Sequence, residues 1–296
     1  MADDAVEPLP YKPISADSHV TEPPYLFTEY LDPRFRDACF TAYNRWLSEF
    51  QSYAPSRLFG LGQTAVNSVE QAVRDLERIK EMGFCGVMMP NEPGTDFEYD
   101  DARFDPVWEA SVALDLPLSF HILTSKKEAK TIAAALMANR EQSRGRSMAH
   151  FHHTLIRANQ DMISTFVWGR VFERHPKLKV VCAEADAGWV PHFTYRMDHF
   201  YRRHRFHSNV GEMSMMPSDR VAENVYFTFQ DDIVAFNCLN MLNPKRLLWS
   251  NDFPHPDATW RWSRQLLNYQ TQNLDDGVRR DILRDNAIGC YDLGAS

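Results

Sequence analysis

The sequence predicts an α/β fold in which parallel strands alternate with crossover helices. Three observations carry that expectation. Short apolar runs alternate with amphipathic helical patterns from residue 14 to near the end of the chain, as repeated strand–helix units do. The apolar runs are nearly continuous rather than alternating, as in strands covered on both faces. Carboxylates and imidazoles gather at the ends of these runs, where parallel sheets collect their chemistry.

The elements follow in order. Residues 1–13, acidic and then proline-rich, read as a lead-in. The first expected strand covers 14–20 and the second 57–64. A helix is expected over 68–82. Ser68 and Gln71 make a capping box, Val69, Val73, Leu76, Ile79 and Met82 make one face, and Gly83 ends it. Residues 84–89 form a strand. Asp105, with Pro106 at the first helical position, opens a helix to 114. A strand over 118–123 precedes a long helical region, 126–174, that stops before Pro176. Strands over 178–184, 225–230 and 246–251 complete a set of seven. Seven strands suit either a closed eight-stranded barrel or a doubly wound open sheet. No internal repeat or low-complexity linker divides the chain, so residues 1–296 are read as one domain.

Composition narrows the function classes. Apolar residues make up 44% and charged residues 24%, ordinary for a globular enzyme. A net charge of −8 argues against a nucleic-acid partner, which calls for a basic surface. No run approaches the ~18 apolar residues of a membrane span. The five cysteines (Cys39, Cys85, Cys182, Cys238, Cys290) contain no CxxC pair, which speaks against a thiolate zinc cluster. An odd count without a signal peptide points to a reducing compartment, the cytoplasm.

The strand ends carry the functional signal. The first ends in Asp17, His19 and Glu22, the fourth carries His121, the fifth ends in Glu184, and the last runs into Asp252 and His255. Asp17 and His19, two apart on a strand, point to one side. Each residue alone has a plainer reading, as a core histidine, a turn aspartate or a loop. Together at one rim they would repel and resist ionisation, and a divalent cation removes that cost. The candidate ligands are therefore Asp17, His19, Glu22, His121, Glu184, Asp252 and His255, with Asp186 beside them. Four carboxylates and three imidazoles are too many for one four-coordinate zinc. They suit two octahedral sites or one crowded one, and oxygen donors mixed with imidazole favour iron or manganese. Trp189, Phe253 and Trp260, with His153, are candidate substrate-pocket residues, and Phe193 and Trp262 lie nearby in sequence. An apolar or aromatic substrate follows. His150, His152 and His153 form a cluster of open role. The stretch RRHR at 202–205 reads as a solvated helix face, or, with Arg196, as a contact for an anionic group.

The stretches SADSHVTEP, KLKVVCAEADAGWVP, RLLWSNDFPHPD and ILRDNAIGCYDL resemble amidohydrolase-related proteins of the aminocarboxymuconate-semialdehyde decarboxylase type, from about residue 14 to 293. The resemblance implies an amidohydrolase-like (β/α)8 TIM-barrel, often distorted, with metal at the carboxyl-terminal rim. It thereby favours the barrel over the open sheet. It matches Asp17 and His19 to the family's first-strand pair, His121 to its strand histidine and Asp252 to its late aspartate. The family's decarboxylases carry a histidine after the strand that here reads KVVCA, where this chain has Glu184. That departure points away from decarboxylation and toward a branch known for dinuclear iron or mixed-metal centres that activate dioxygen. The expected function is a dinuclear non-haem iron monooxygenase hydroxylating a C–H bond of an apolar carboxylic acid or its CoA thioester. Two irons (or manganese, or one of each), dioxygen and an external electron donor accompany it, with Glu22, Glu184, Asp252 and His255 as catalytic groups. A homodimer is also implied. The alternative is a mononuclear zinc or manganese enzyme, a decarboxylase of a hydroxylated aromatic acid or a hydrolase, with Asp252 or His255 as base.

Overall fold

The computed structural model describes residues 9–18, 36–125 and 154–294. Among the described residues six strands lie in one parallel sheet in sequence order: β1 (Leu61–Gln63), β2 (Gly86–Met89), β3 (Leu118–His121), β4 (Val180–Ala183), β5 (Val225–Phe229) and β6 (Leu247–Trp249). Each pairs with the next in parallel register, for example Leu118 with Val180 and His121 with Ala183. Residues 14–17 run along the free side of β6. Ala16 N–H donates to Trp249 O at 2.8 Å, and Asn251 and Asp252 N–H donate to Asp17 O at 3.3 and 3.1 Å. Strands laid down in sequence order with one crossover each are the winding of a TIM-barrel-type α/β fold.

The strands are apolar for a structural reason. Every residue of β3, β4, β5 and β6 is buried, because helices cover one face and packed side chains fill the other. All six later strands expected from the sequence are present, but most are shorter at the carboxyl end. Leu123 (φ 67°), Glu184 (φ 54°) and Asp252 (φ 56°) leave the ladder in left-handed conformations. The expected first strand is an extended segment over 14–17, and residues 19 and 20 lie outside the described residues.

The helices follow local chemistry. α1 (Arg36–Ser52) precedes β1. α2 (Val69–Glu81) starts at Ser68, whose hydroxyl accepts from Gln71 N–H at 3.1 Å. It buries Ala72, Leu76 and Ile79, and Gly83 turns the chain away at φ 78°. α3 (Asp105–Leu114) carries proline in its first turn and ends at left-handed Asp115. Of the helical region expected over 126–174, residues 126–153 lie outside the described residues. The remainder forms α4 (Arg157–Trp168) and α5 (Val171–Arg174), broken at left-handed Arg170. α6 (Val190–His204) follows β4, and α7 (Pro217–Asn224) leads into β5. α8 (Ile233–Asn237), α9 (Ser263–Thr271), α10 (Asp276–Arg280) and α11 (Asn286–Tyr291) complete the order, with a π-turn between the last two.

The main core joins the sheet to α3 and α4. Trp108 packs on Phe166 with ring centroids 5.1 Å apart, and Tyr99 stands edge-on to Phe104, Trp108 and Phe120. The cysteines are free. Burial pushes the Cys182 thiol up to about 12, so it behaves as a small hydrophobe. Among the described residues no helix is long and apolar enough to cross a membrane.

Candidate metal centre

Because the strands are parallel, their carboxyl ends share one edge. Residues 14–17 deliver Asp17 there, β3 ends in His121, and the residues just beyond β4 and β6 are Glu184 and Asp252. Donor atoms of Asp17, His121 and Glu184 all lie within 4.8 Å of one another, and so do those of Glu184, Asp252 and His255. Glu184 belongs to both groups. His121 Nε2 is 2.8 Å from Glu184 Oε2 and 3.6 Å from Asp17 Oδ2. His255 Nδ1 is 3.0 Å from Asp252 Oδ1.

Neighbouring groups hold these donors in place. His121 Nδ1 lies 2.6 Å from Ile122 O. A carbonyl can only accept, so Nδ1 carries the hydrogen and Nε2 is the atom turned to the carboxylates. Metal-binding histidines are commonly oriented in this way. Asn91, at the end of β2, donates its side-chain amide to His121 O at 2.9 Å and is buried. Thr228, buried on β5, accepts from Glu184 N–H at 2.8 Å and steadies its left-handed backbone. Ser15 Oγ accepts from Asn251 N–H and donates to Asp17 O. Asp232 accepts from the N–H groups of Ala187 and Gly188 at 2.7 and 2.6 Å and caps α8. A Cβ on Gly188 would come 2.6 Å from Asp232 Oδ1, so only glycine admits this approach.

The electrostatics favour a cation. Burial by itself lowers the His121 pKa. The hydrogen bond that its Nε2–H donates to Glu184 and the charges of Asp17 and Glu184 outweigh that and leave it raised. The position therefore draws positive charge, as a proton on Nε2 or a metal ion among the same atoms. Burial, then the charge of Asp232, pushes Asp186 up to about 7, against the hydrogen bond it accepts from Gln230 N–H. The donor set of carboxylate oxygens and imidazole nitrogens fits a hard divalent ion such as manganese better than a thiolate-seeking one.

The structure thus brings together Asp17, His121, Glu184, Asp252 and His255. His19 and Glu22 lie outside the described residues, as do His150, His152 and His153. Phe253 and Trp260 are 46% and 55% exposed and meet edge-on, centroids 5.7 Å apart, in the loop that carries His255. Trp189 is half-buried. Its indole N–H donates to Ala185 O, and its ring packs on Phe193 and Phe227. Arg202 lies 3.5 Å from Asp198, and Arg205 covers the rings of Tyr201 and Phe206. The supporting residues Asn91, Thr228 and Ser15 were not singled out from the sequence. Asp232 had a visible signal, an aspartate just before the helical pattern IVAF. A threonine inside an apolar strand has none.

The gamma-resorcylate decarboxylase of Polaromonas sp. is 25% identical to this chain over 265 residues, which is 84% of this chain and 75% of that protein. Among solved structures, the 5-carboxyvanillate decarboxylase of Sphingomonas paucimobilis matches with a TM-score of 0.70 at 20% identity, over 88% of this chain and 75% of that one. The dihydroxybenzoic acid decarboxylase of Polaromonas sp., solved with bound manganese and the inhibitor 2-nitroresorcinol, matches with a TM-score of 0.69 at 20% identity, over 90% and 79%. These structures share the α/β barrel.

The relatives overturn the expectation of a dinuclear iron monooxygenase, and with it the oxidoreductase assignment. They are named as decarboxylases, and one holds manganese. Loss of CO2 from an aromatic acid leaves both bonding electrons on the ring carbon, so it calls for neither dioxygen nor an electron donor. Two irons, dioxygen, the electron donor and the CoA thioester have no support in these relatives. The inference drawn from Glu184 failed for a physical reason. Exchanging an imidazole for a carboxylate changes the charge of a donor set but does not by itself demand a second metal or redox chemistry. What stands is a group of residues able to hold a divalent metal in a barrel of this kind. The amidohydrolase family model matches residues 5–293, nearly the whole length, and the chain belongs to the amidohydrolase family.

Proposed function

We propose that the protein is a metal-dependent carboxy-lyase acting on a hydroxylated aromatic carboxylic acid. The convergence of Asp17, His121, Glu184, Asp252 and His255 at one edge of a parallel barrel supports this reading most. Asp17, His121 and Glu184 would hold the ion, with Asp252 closing the far side of Glu184. When bound, a divalent metal supplies a Lewis acid and a template for the oxygens of the acid.

The remaining work falls to the chain. The overall change is ArCO2− + H+ → ArH + CO2: the bond from ring to carboxyl breaks, and the ring carbon gains a proton. The proton donor must sit beside the ring and connect to solvent. Asp252 is fully buried, while the His255 side chain bonded to it is 28% exposed. That pair can take a proton from water at His255 and hand it on from the Asp252 carboxyl. Phe253 and Trp260 flank this route with aromatic surface suited to a planar substrate. The Nδ1 hydrogen bond to Ile122 keeps the His121 ring from rotating, and the Thr228 contact holds the Glu184 backbone as substrate enters.

The test is CO2 release by manganese-loaded protein, with oxygen excluded, from gamma-resorcylate and 5-carboxyvanillate. Oxygen-independent release of CO2 with the ring otherwise intact is expected. Failure to decarboxylate these acids and a wider set of hydroxybenzoates overturns the reading.

A further inference from the structure

Buried side-chain amides around the carboxyl rim are hydrogen-bonded, as buried polar groups normally are. Asn91 donates to His121 O at 2.9 Å, Asn251 donates to Ser263 Oγ at 3.0 Å, and Gln270 accepts from Asp232 N–H at 2.9 Å. Gln230 is the exception. It is 8% exposed, yet its side-chain amide has no hydrogen-bond partner among the described residues. The amide atoms are not sealed in the packed interior either. They face space that a ligand can enter.

The backbone shows where that space lies. In β5, Phe227 meets Trp189 and Phe229 meets Phe236 of α8, with ring centroids 5.9 and 5.1 Å apart, so both face the helix layer. Thr228, between them, turns the other way and accepts from Glu184 N–H. Gln230, two residues beyond Thr228, follows on the same side. Its main chain is clamped, since its N–H donates to Asp186 Oδ1 at 3.1 Å and its carbonyl accepts from Gln270 Nε2 at 3.4 Å. β5 lies between β4 and β6, whose ends lead to Glu184 and Asp252. Gln230 therefore stands between two donor-bearing strand ends, on a strand that supplies no donor of its own among the described residues.

A primary amide carries no charge and offers two N–H donors and an oxygen acceptor. Its surroundings are acidic, because the Asp186 carboxyl beside it feels the charges of Asp232, Asp257 and Asp231. A second carboxylate on a ligand would be repelled here. A neutral hydroxyl would not, and it can donate to Oε1 or accept from Nε2. Pockets for small molecules gain their selectivity from a few polar groups placed in this way.

We propose that Gln230 recognises a ring hydroxyl of the bound aromatic acid through its side-chain amide, and so helps set which hydroxylated acids the protein accepts. The identity of the ligand rests on the carboxy-lyase reading given above.

The experiment is calorimetric titration of the manganese-loaded protein with 2-nitroresorcinol and with 2-nitrophenol, which lacks one of the two ring hydroxyls. A nitro group has the planar shape of a carboxylate, and neither compound can lose CO2, so binding is read apart from turnover. The dihydroxy compound should bind about tenfold more tightly or better. Gln230→Met keeps the length of the side chain and drops the amide. In that variant the affinity for 2-nitroresorcinol should fall to within about threefold of that for 2-nitrophenol, while 2-nitrophenol and manganese bind as before. No preference in the unaltered protein, or an undiminished preference in the variant, overturns the inference. Equal weakening of both compounds would mean that Gln230 only supports the wall, and a matching loss of manganese would make it a ligand of the ion. Either result also overturns the inference, as does failure of both compounds to bind. A preference that is lost in the variant, in a protein that releases no CO2 from any hydroxybenzoate, upholds the hydroxyl contact and removes the carboxy-lyase reading.

Discussion

The two edges of the sheet solve the problem of charge in opposite ways. At the amino-terminal edge and in the helix layer, carboxylates face cations near water. Asp115, at the end of α3, meets Lys179 just before β4 at 2.9 Å, and Asp105, at the start of α3, meets Arg174 at 2.9 Å and His175 at 3.0 Å. At the carboxyl edge Asp17, Glu184 and Asp252 face one another and two imidazoles, largely out of water. The backbone differs in parallel. Left-handed residues at the amino edge, Asp115 and Asp292, end helices, where that conformation is ordinary. At the carboxyl edge they follow strands, at Val66, Leu123, Glu184, Asp186 and Asp252. A non-glycine residue held so costs on the order of 1–2 kcal/mol. Strain and concentrated like charge coincide where chemistry is expected, and the other edge serves stability.

The sharpest way to break this contrast is to remove charge from one edge at a time. Glu184→Gln keeps the shape and removes the charge shared by both donor groups. Manganese affinity should fall at least a hundredfold, and decarboxylation should be lost with it, while circular dichroism stays unchanged. Full manganese occupancy in that variant would remove Glu184 from the ligand set. Asp252→Asn separates holding from proton delivery. Turnover should fall by roughly 10³-fold with manganese still bound and KM little altered. A proportional loss of metal would instead make Asp252 chiefly a ligand.

A smaller effect is expected one layer out. Thr228→Val deletes the acceptor for Glu184 N–H without changing side-chain size. Manganese affinity should drop about tenfold, and stability should fall by about 1–2 kcal/mol because the N–H is left buried and unpaired. A variant that loses stability but binds manganese normally would show that Thr228 supports the loop and not the ligand.

Much of the architecture was legible because it is written locally. Continuous apolar runs located β1 to β6, and Ser68, Gly83 and Pro106 marked helix ends by their backbone chemistry. Asp17, His121, Glu184, Asp252 and His255 stood out because charged residues at the ends of buried strands are costly. The supports were hidden because they act across the chain. Thr228 reaches Glu184 over 44 residues, and Asn91 reaches His121 over 30. The break between α4 and α5 also escaped, since Gly169 packs where a Cβ would stand 2.0 Å from Asp100 Cβ, a tertiary constraint. The reaction was the least legible part. Carboxylate and imidazole donors serve manganese and iron alike, so the same residues fit redox and non-redox chemistry until relatives were compared.

Among the paired carboxylates the expected effect is modest and depends on pH. Asp105 is partly buried, which by itself raises its pKa. Hydrogen bonds from His175 and Arg174 overcome this and hold the carboxyl below the usual aspartate range. The unfolded chain therefore binds a proton more readily than the folded one. The stabilisation is complete above the ordinary aspartate pKa and is lost as pH falls through the lower folded value. Asp105→Asn should cost about 1 kcal/mol at neutral pH, discounted for partial exposure, and the difference should shrink toward zero as the solution is acidified below about pH 4. Manganese affinity should not change, since Asp105 bonds to Arg174 and His175 and to none of the donors. A penalty that is constant with pH would mean that packing, and not the ion pairs, holds this corner together, and the contrast between the two edges would then rest on the backbone alone.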